Sequence, residues 1–136
     1  MLGKTLLLLL TVMSFITGSQ KYVSFHASSQ SSSIKNGEPF DILVNIKPAA
    51  GIHLNANPPI SVKPVDGSAV MTLRQPGLRG EYLDLARPVK IECEVKGLPE
   101  GDRTISFILG YTFCSADEGW CRMGSDTIAV NVKVGK

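Results

Sequence analysis

Two of the three cysteines in this chain of 136 residues, Cys114 and Cys121, stand close together near its C-terminal end. Six residues, SADEGW, separate them, and such a stretch suits a hairpin loop. Two sulfurs at this spacing can close a structural disulfide or exchange electrons with the thiols of another protein. A metal site is disfavoured, because the stretch has no histidine that would complete a set of ligands.

A bond between Cys114 and Cys121 is geometrically easy if the two stand opposite each other on antiparallel strands. Directly opposed residues have Cα atoms about 4.5–5.5 Å apart, and disulfides prefer about 4.4–6.8 Å. Closing so short a loop stabilises a protein by roughly 2.5 kcal/mol on the chain-entropy model. That gain is small for a domain that can bury a core, so the residues alone leave a structural bond and a redox pair both open.

Side chains beside the pair are predicted to tune its chemistry. Arg122 follows Cys121 directly and favours its thiolate, whereas the carboxylates of Asp117 and Glu118 in the loop oppose ionisation. Trp120 has two interpretations. It either covers the disulfide and restricts access to it, or packs on the end of the domain as an ordinary loop aromatic.

The segments that must position these residues alternate apolar and polar side chains, which is typical of antiparallel strands that cover a core from one side. The clearest are KYVSFHA (21–27), FDILVNI (40–46), VKIECEV (89–95), TISFILGYTF (104–113) and TIAVNVKV (127–134). Residues that favour turns lie between them. This spacing predicts an all-β fold, an immunoglobulin-like antiparallel β-sandwich of about seven to nine strands.

One face of these strands is predicted to form the core. Its members are Phe40, Ile42, Val44, Ile91, Val95, Ile105, Phe107, Leu109, Ile128 and Val130. The third cysteine, Cys93, shares that face and is predicted to be a free, buried thiol that acts as a small hydrophobe. Cys114 falls on the face away from Phe113, so the pair is expected outside the core or at its rim. His53 and His26 also face away from their apolar neighbours and are expected to be exposed side chains, not ligands or acid–base groups.

The first residues have the layout of a secretory signal peptide: a basic start that ends at Lys4, the uncharged run TLLLLLTVMSFI, and the small polar stretch TGSQK. A run of this length is short for a membrane span, which needs about 20 residues. We therefore predict that residues 1–19 are cleaved and that residues 20–136 form one exported domain with no stable membrane insertion.

The charge balance of the predicted mature chain limits the classes of partner that are expected. Without Lys4, 13 basic and 12 acidic residues remain, and no basic stripe stands out. Nucleic acid is therefore not an expected partner. An exported chain meets oxidising conditions, in which disulfides persist. No cofactor and no metal is expected.

Three motifs together make the chain resemble the N-terminal domain of the thiol:disulfide interchange protein DsbD family. They are GIHLNANPP (51–59), ARPVKIECEV (86–95) and GYTFCSADEGWCR (110–122). The resemblance extends over nearly all of the predicted mature chain, from Tyr22 to Val134. It implies an immunoglobulin-like sandwich outside the cytoplasm, in the periplasm or another extracytoplasmic compartment. Because this chain ends at Lys136, a standalone version of the domain is expected, with its electron donor on another polypeptide.

The resemblance also implies roles for individual residues. Cys114 and Cys121 would cycle between dithiol and disulfide, with Cys121 as the attacking sulfur. Tyr111 would be the aromatic residue of the aromatic-x-x-Cys element. A loop that spans residues 75–82 would cap the pair, with Leu78 or Tyr82 as the covering side chain.

The partners implied by the resemblance are a thioredoxin-like protein or domain, which supplies electrons, and exported disulfide-containing proteins, which receive them. The residues alone, without the resemblance, slightly favour a second hypothesis over the exchange function. On that hypothesis the chain is a non-catalytic immunoglobulin-like binding domain, and its disulfide is structural.

Overall fold

A computed structural model describes residues 22–136, and the predicted signal peptide (1–19) lies outside this range. Ten strands form in the described part. They are β1 (Val23–Ser29), β2 (Phe40–Pro48), β3 (Ile52–Leu54), β4 (Ser61–Pro64), β5 (Ala69–Arg74), β6 (Leu78–Arg79), β7 (Tyr82–Leu83), β8 (Val89–Val95), β9 (Gly101–Ser115) and β10 (Trp120–Val134). Residues 22–136 contain no helix that is long and apolar enough to cross a membrane.

The strands form an immunoglobulin-like antiparallel β-sandwich, as the alternating segments predicted. One sheet has the strand order β1-β2-β8-β5. The other has the order β10-β9-β3, and β4 pairs with β9 as well. Strands β6 and β7 pair only with each other and form a short separate hairpin. The two large sheets therefore contain eight strands, within the predicted range.

The core lies between the two sheets, and all ten residues predicted for it are buried. They alternate with exposed residues, as in β8, where Val89, Ile91, Cys93 and Val95 point inward. Period-two alternation places every second side chain on the same face, so one apolar face closes against the other sheet. Cys93 is a free thiol with no exposed surface, as predicted.

Strands β9 and β10 are longer than the alternating segments that predicted them. Each has 15 residues, and they pair along their whole length. The hairpin extends beyond the apolar stretch of β10 because the partner strand supplies hydrogen bonds to residues 120–126, whose own pattern is polar. It is this added length that brings Cys114 and Cys121 into the sheet.

The segment between β2 and β8 contains five short strands, β3 to β7, that single-sequence patterns did not define. Its longest member, β5, pairs with β8 and alternates in burial, but its outward-facing Val70 is apolar and 63% exposed, so the alternation is obscured in the sequence. Strand β3 has only three residues and is fixed by pairing with β9. These elements form because longer neighbours supply their hydrogen bonds, which a local pattern does not reveal.

Candidate functional site

The disulfide joins directly opposed residues of the β9–β10 hairpin. Cys121 pairs with Cys114 in the register of the two strands, and their Cα atoms lie 4.0 Å apart. The bond therefore closes a single hairpin, whereas the disulfide of an antibody domain connects the two sheets through the core. The intervening turn is held by the Gly119 amide, which donates to the Ser115 carbonyl at 2.9 Å.

The two cysteines differ in their exposure to solvent. Cys121 is exposed, whereas Cys114 is only 4% exposed. Cys114 nevertheless stands apart from the main core cluster, because it points to the face of β9 away from Phe113. The expectation that the pair lies outside the core holds for both residues. Of the two, only Cys121 is open to solvent.

A histidine completes a row of side chains on this outer face. His53 of β3 is the register partner of Cys114 on one side, and Cys121 of β10 is its partner on the other. Directly opposed residues have Cβ atoms about 4.5–5.5 Å apart. His53, Cys114 and Cys121 thus lie side by side across three adjacent strands.

The β6–β7 hairpin lies beside this row. A pocket of about 370 Å³ brings its residues Leu78, Glu81 and Tyr82 together with both cysteines. Leu78 is 60% exposed. The structure thus brings the predicted capping side chains, Leu78 and Tyr82, next to the disulfide.

The imidazole of His53 is held by the same hairpin. The Tyr82 ring stacks on it with centroids 4.4 Å apart and an interplanar angle of 12°. This near-parallel stack fixes the plane of the imidazole. The hairpin therefore contacts the site at two points, the sulfur pocket and the histidine.

Hydrogen bonds of Gln75, just before the β6–β7 hairpin, connect this segment to the loop that follows β3. The Gln75 side chain donates to the Ala56 carbonyl at 2.8 Å and accepts from the Ile60 amide at 2.7 Å. The Asp84 amide then closes the base of the hairpin on the Gly77 carbonyl at 2.8 Å. These bonds hold the predicted capping segment against the loop that follows β3.

Trp120 and Arg122 lie on the opposite face of the sheet from the disulfide. The Trp120 ring meets Phe113 at 5.8 Å and Tyr22 at 5.3 Å, both edge-on. The Arg122 guanidinium carbon lies 4.4 Å from the centre of the Trp120 ring. Trp120 is therefore the packed aromatic of the second interpretation and does not cover the bond. Arg122 likewise points away from Cys121, because neighbours in a strand point to opposite faces. This position does not support the prediction that Arg122 favours the thiolate of Cys121.

Tyr111 also faces away from the sulfurs. It is 4% exposed and packs on Phe25 and Phe113 at 5.2 and 5.8 Å. Its hydroxyl donates to the carboxylate of Asp126. The predicted supporting role at the disulfide is thus corrected to a packing role, because odd-numbered residues of β9 face the core.

The two acidic residues of the loop point to different neighbours. The Glu118 carboxylate accepts from the indole NH of Trp120. A carboxylate oxygen of Asp117 lies near the backbone of Gly51, just before β3. Within residues 22–136 no cluster of three or more His, Cys, Asp or Glu side chains is arranged to hold a metal ion.

Cys93 is chemically separate from the pair. Burial raises the pKa of its thiol from 9.0 to about 11, because the interior disfavours the charged thiolate. It sits between the sheets, on β8. A protonated, inaccessible thiol is a poor nucleophile, so Cys93 cannot substitute for either partner of the disulfide.

The neighbour of the disulfide that sequence reasoning missed is His53. The alternation in GIHL placed it correctly on the outer face, but nothing local indicated which strand would pair with β3. Only the pairing of β3 with β9 sets it beside Cys114. A predicted β3–β9 register would have found it.

A further surface groove lies elsewhere in the described part of the chain. It measures about 940 Å³ and runs between β1 and the C-terminal half of β10. None of the residues predicted for the site lines it. His26 does, as an exposed side chain.

Comparison with known proteins gives limited information. No family model and no curated protein matches the sequence. Among solved structures, murine CRIg is 10% identical, with 85% of this chain and 99% of that chain covered and a TM-score of 0.44. The ZirS C-terminal domain is also 10% identical, with 85% and 70% covered and a TM-score of 0.33. Likeness at this level carries no inference about function.

Proposed function

We propose that this protein is an exported thiol–disulfide exchange module. It carries reducing equivalents between a thioredoxin-like protein or domain and other exported proteins through Cys114 and Cys121. The observation that carries the proposal is the unequal exposure of the two cysteines within one hairpin-closing bond. The exposed Cys121 is open to a partner's sulfur, and the covered Cys114 is the leaving group that stays behind.

The position of the bond supports an exchange role over a purely structural one. It connects strands that already pair along their whole length, so it adds little to the definition of the fold. A partner approaching the end of the hairpin meets Cys121 first. The capping hairpin with Leu78 and Tyr82 lies beside the bond and gives it a specific surface for recognition.

The resemblance to the DsbD N-terminal domain supports the same proposal. The implied cap, the attacking Cys121 and the pairing partner Cys114 are compatible with the positions these residues occupy. The predicted signal peptide, residues 1–19, and the disulfide are both consistent with a periplasmic or other extracytoplasmic location.

A reduction potential tests the proposal most directly. The Cys114–Cys121 couple of the folded domain is equilibrated with glutathione buffers, and the fraction reduced is measured by thiol alkylation. Structural disulfides of exported proteins lie below about −300 mV, and working pairs lie higher. We expect a potential above that limit. A value below it, or resistance to dithiothreitol until the domain unfolds, contradicts the proposal.

Single cysteine variants test the assignment of the two sulfurs. The probe is a purified thioredoxin that keeps only its attacking cysteine, activated as a mixed disulfide with thionitrobenzoate. Cys114→Ala leaves the exposed Cys121, whose thiolate should displace thionitrobenzoate and trap a mixed disulfide with the probe. Cys121→Ala leaves only the covered sulfur and should trap much less. Cys93→Ala is the matched control and should behave as the wild type. Equal trapping by both single variants contradicts the assignment of Cys121 as the attacking sulfur.

The second candidate is a non-catalytic immunoglobulin-like binding domain with a structural disulfide. The burial of Cys114 favours it, because a covered sulfur is harder to reduce. The same two experiments decide between the candidates. A low potential together with no trapping by either variant favours the binding domain.

A further inference from the structure

Opening the disulfide places a negative charge on the sulfur of Cys114. When a partner attacks Cys121, the electron pair of the broken bond goes to the Cys114 sulfur. That sulfur is covered, and a buried environment disfavours a thiolate. Release of Cys114 is therefore slow unless a neighbouring group stabilises the thiolate or supplies a proton.

We propose that His53 is this neighbouring group and that it exchanges a proton with the Cys114 sulfur. The inference rests on the proposed exchange function and adds the residue that makes the buried sulfur a good leaving group. Three observations carry it: the direct register between His53 and Cys114, their common face, and the stack of Tyr82 on the imidazole. The stack holds the imidazole on the face that bears the sulfurs.

Other charged groups around the site are less suited to this task. Glu81 of the β6–β7 hairpin lines the sulfur pocket, and the carboxylate of Asp117 lies near Gly51, just before β3. Both groups carry a negative charge, which repels a thiolate and so cannot stabilise it. The positive charge of Arg122 is held over Trp120 on the other face. Tyr82 is occupied as the stacking partner of His53.

Reduction of the disulfide by a donor dithiol takes two steps. A donor thiol ionises to water and its thiolate attacks the Cys121 sulfur, which forms the mixed disulfide and breaks the Cys114–Cys121 bond. The departing Cys114 thiolate takes the proton of the His53 imidazolium, which later regains one from water. In the second step the other donor thiolate attacks the donor's own sulfur in the mixed disulfide. The donor is oxidised to a disulfide, Cys121 leaves as a thiolate and is protonated by water, and the pair is reduced.

The reverse direction uses the same residue as a base. The Cys121 thiolate attacks the disulfide of an acceptor protein, forms a mixed disulfide with one acceptor sulfur and releases the other as a thiolate, which water protonates. His53 then removes the proton from the Cys114 thiol. The resulting thiolate attacks the Cys121 sulfur, re-forms the internal bond and releases the second acceptor sulfur as a thiolate. Water protonates that thiolate, so the acceptor leaves with both of its thiols reduced.

The test compares the rate of reduction by dithiothreitol in wild type, His53→Gln and His26→Gln. His26 is the chain's other histidine and is also exposed, on β1, so it is the matched control. A general acid contributes about 10²–10⁴-fold in enzymes, and we expect His53→Gln to slow reduction at least about tenfold at neutral pH. His26→Gln should have no effect. A wild-type rate for His53→Gln overturns the inference.

A second variant separates proton transfer from packing. His53→Phe keeps an aromatic ring for Tyr82 to stack on but carries no proton. The inference predicts that it is as slow as His53→Gln. If His53→Phe instead restores the wild-type rate, His53 acts only through packing and the inference is wrong.

Two pH-dependent measurements add readouts that a packing role would not move. The ratio of wild-type to His53→Gln rates should fall towards unity as rising pH removes the imidazolium. In the Cys121→Ala background, the ultraviolet absorbance of the Cys114 thiolate should appear at lower pH with His53 present than with His53→Gln. Cys93 does not interfere, because burial raises its pKa to about 11. A pH-independent ratio, or identical absorbance curves, overturns the inference.

Failure of the inference is distinguishable from failure of the proposed function. If the wild-type disulfide resists dithiothreitol in the folded domain, the exchange function itself fails. If it is reduced readily and His53→Gln is reduced at the same rate, the exchange function stands and only the role of His53 is lost.

Discussion

The two faces of the β9–β10 hairpin near its turn differ in almost every respect. The inner face carries the aromatic cluster of Tyr111, Phe113 and Trp120, whose rings contact one another and Tyr22. The outer face carries His53, Cys114 and Cys121, and beside them lies a two-strand hairpin that pairs with no other strand in residues 22–136. One face is packed by the sandwich, and the other is only partly closed.

The difference follows from strand geometry, because residues that are adjacent in a strand point to opposite faces of the sheet. Cys121 lies between Trp120 and Arg122 in the sequence, yet both of these point to the inner face. Residues far apart in the sequence, such as His53 and Cys114, are neighbours in space. The inner face therefore holds the hairpin in place, and the outer face is available for chemistry.

The largest loss of stability is expected for a substitution on the inner face. Phe113→Ala removes a side chain that is 2% exposed and contacts three aromatic rings. We expect the free energy of unfolding, from urea denaturation, to fall by about 3–5 kcal/mol. The matched outer-face variant is Leu78→Ala, whose side chain is 60% exposed. Its cost should stay within about 0.5 kcal/mol, and equal losses would abolish the distinction between the faces.

Removal of the disulfide gives the next largest effect. The double variant Cys114→Ala, Cys121→Ala loses the constraint on a short loop, and we expect a loss of about 2.5 kcal/mol in urea denaturation. The long strand pairing of β9 with β10 should keep the domain folded. Circular dichroism of the native sheets checks this. Failure to fold would show that the bond is a structural requirement and would favour the binding-domain candidate.

The sequence predicted the fold well where a strand is long and one-sided. The ten core residues and the burial of Cys93 follow from period-two alternation in β2, β8, β9 and β10. Alternation is a local property of the chain, because the pleat assigns each side chain to a face. It therefore also predicted that Cys114 faces away from Phe113.

The site was predictable only in part, because it depends on pairing between distant strands. Alternation does not reveal that β3 lies beside β9, so the neighbourhood of His53 and Cys114 stayed hidden. The β6–β7 hairpin has too few residues for a pattern, and the capping roles of Leu78 and Tyr82 came from the resemblance alone. The role given to Arg122 came from its closeness to Cys121 in sequence, and the role of Tyr111 came from the resemblance. Strand geometry places both side chains on the face away from the sulfurs.

The third cysteine, Cys93, lies in the core between the two sheets. Burial raises the pKa of Cys93 from 9.0 to about 11, so the folded state holds its thiol proton more tightly than the unfolded state. Above about pH 9 the unfolded thiol ionises first, and stability falls as pH rises until the folded thiol also ionises near pH 11. We expect this loss to reach up to about 2 kcal/mol.

Urea denaturation of wild type and Cys93→Ala across this pH range measures the effect. The difference between the two proteins isolates Cys93 from lysines and tyrosines that ionise in the same range. Parallel pH dependences would mean that Cys93 is not buried as a neutral thiol.

The smallest expected effect tests the position of Arg122. Its guanidinium carbon lies 4.4 Å from the Trp120 ring centre and 5.9 Å from the Tyr22 ring centre, and contacts of this kind contribute about 0.5–1 kcal/mol at exposed sites. Arg122→Gln should therefore lower the free energy of unfolding by about that amount. It should leave the rate of disulfide reduction by dithiothreitol nearly unchanged, because the charge lies on the inner face. If the rate instead falls about tenfold, which corresponds to about 1.4 kcal/mol in the barrier, while stability is unaltered, the arginine acts on Cys121 through the sheet. Sequence adjacency would then outweigh the separation of the two faces.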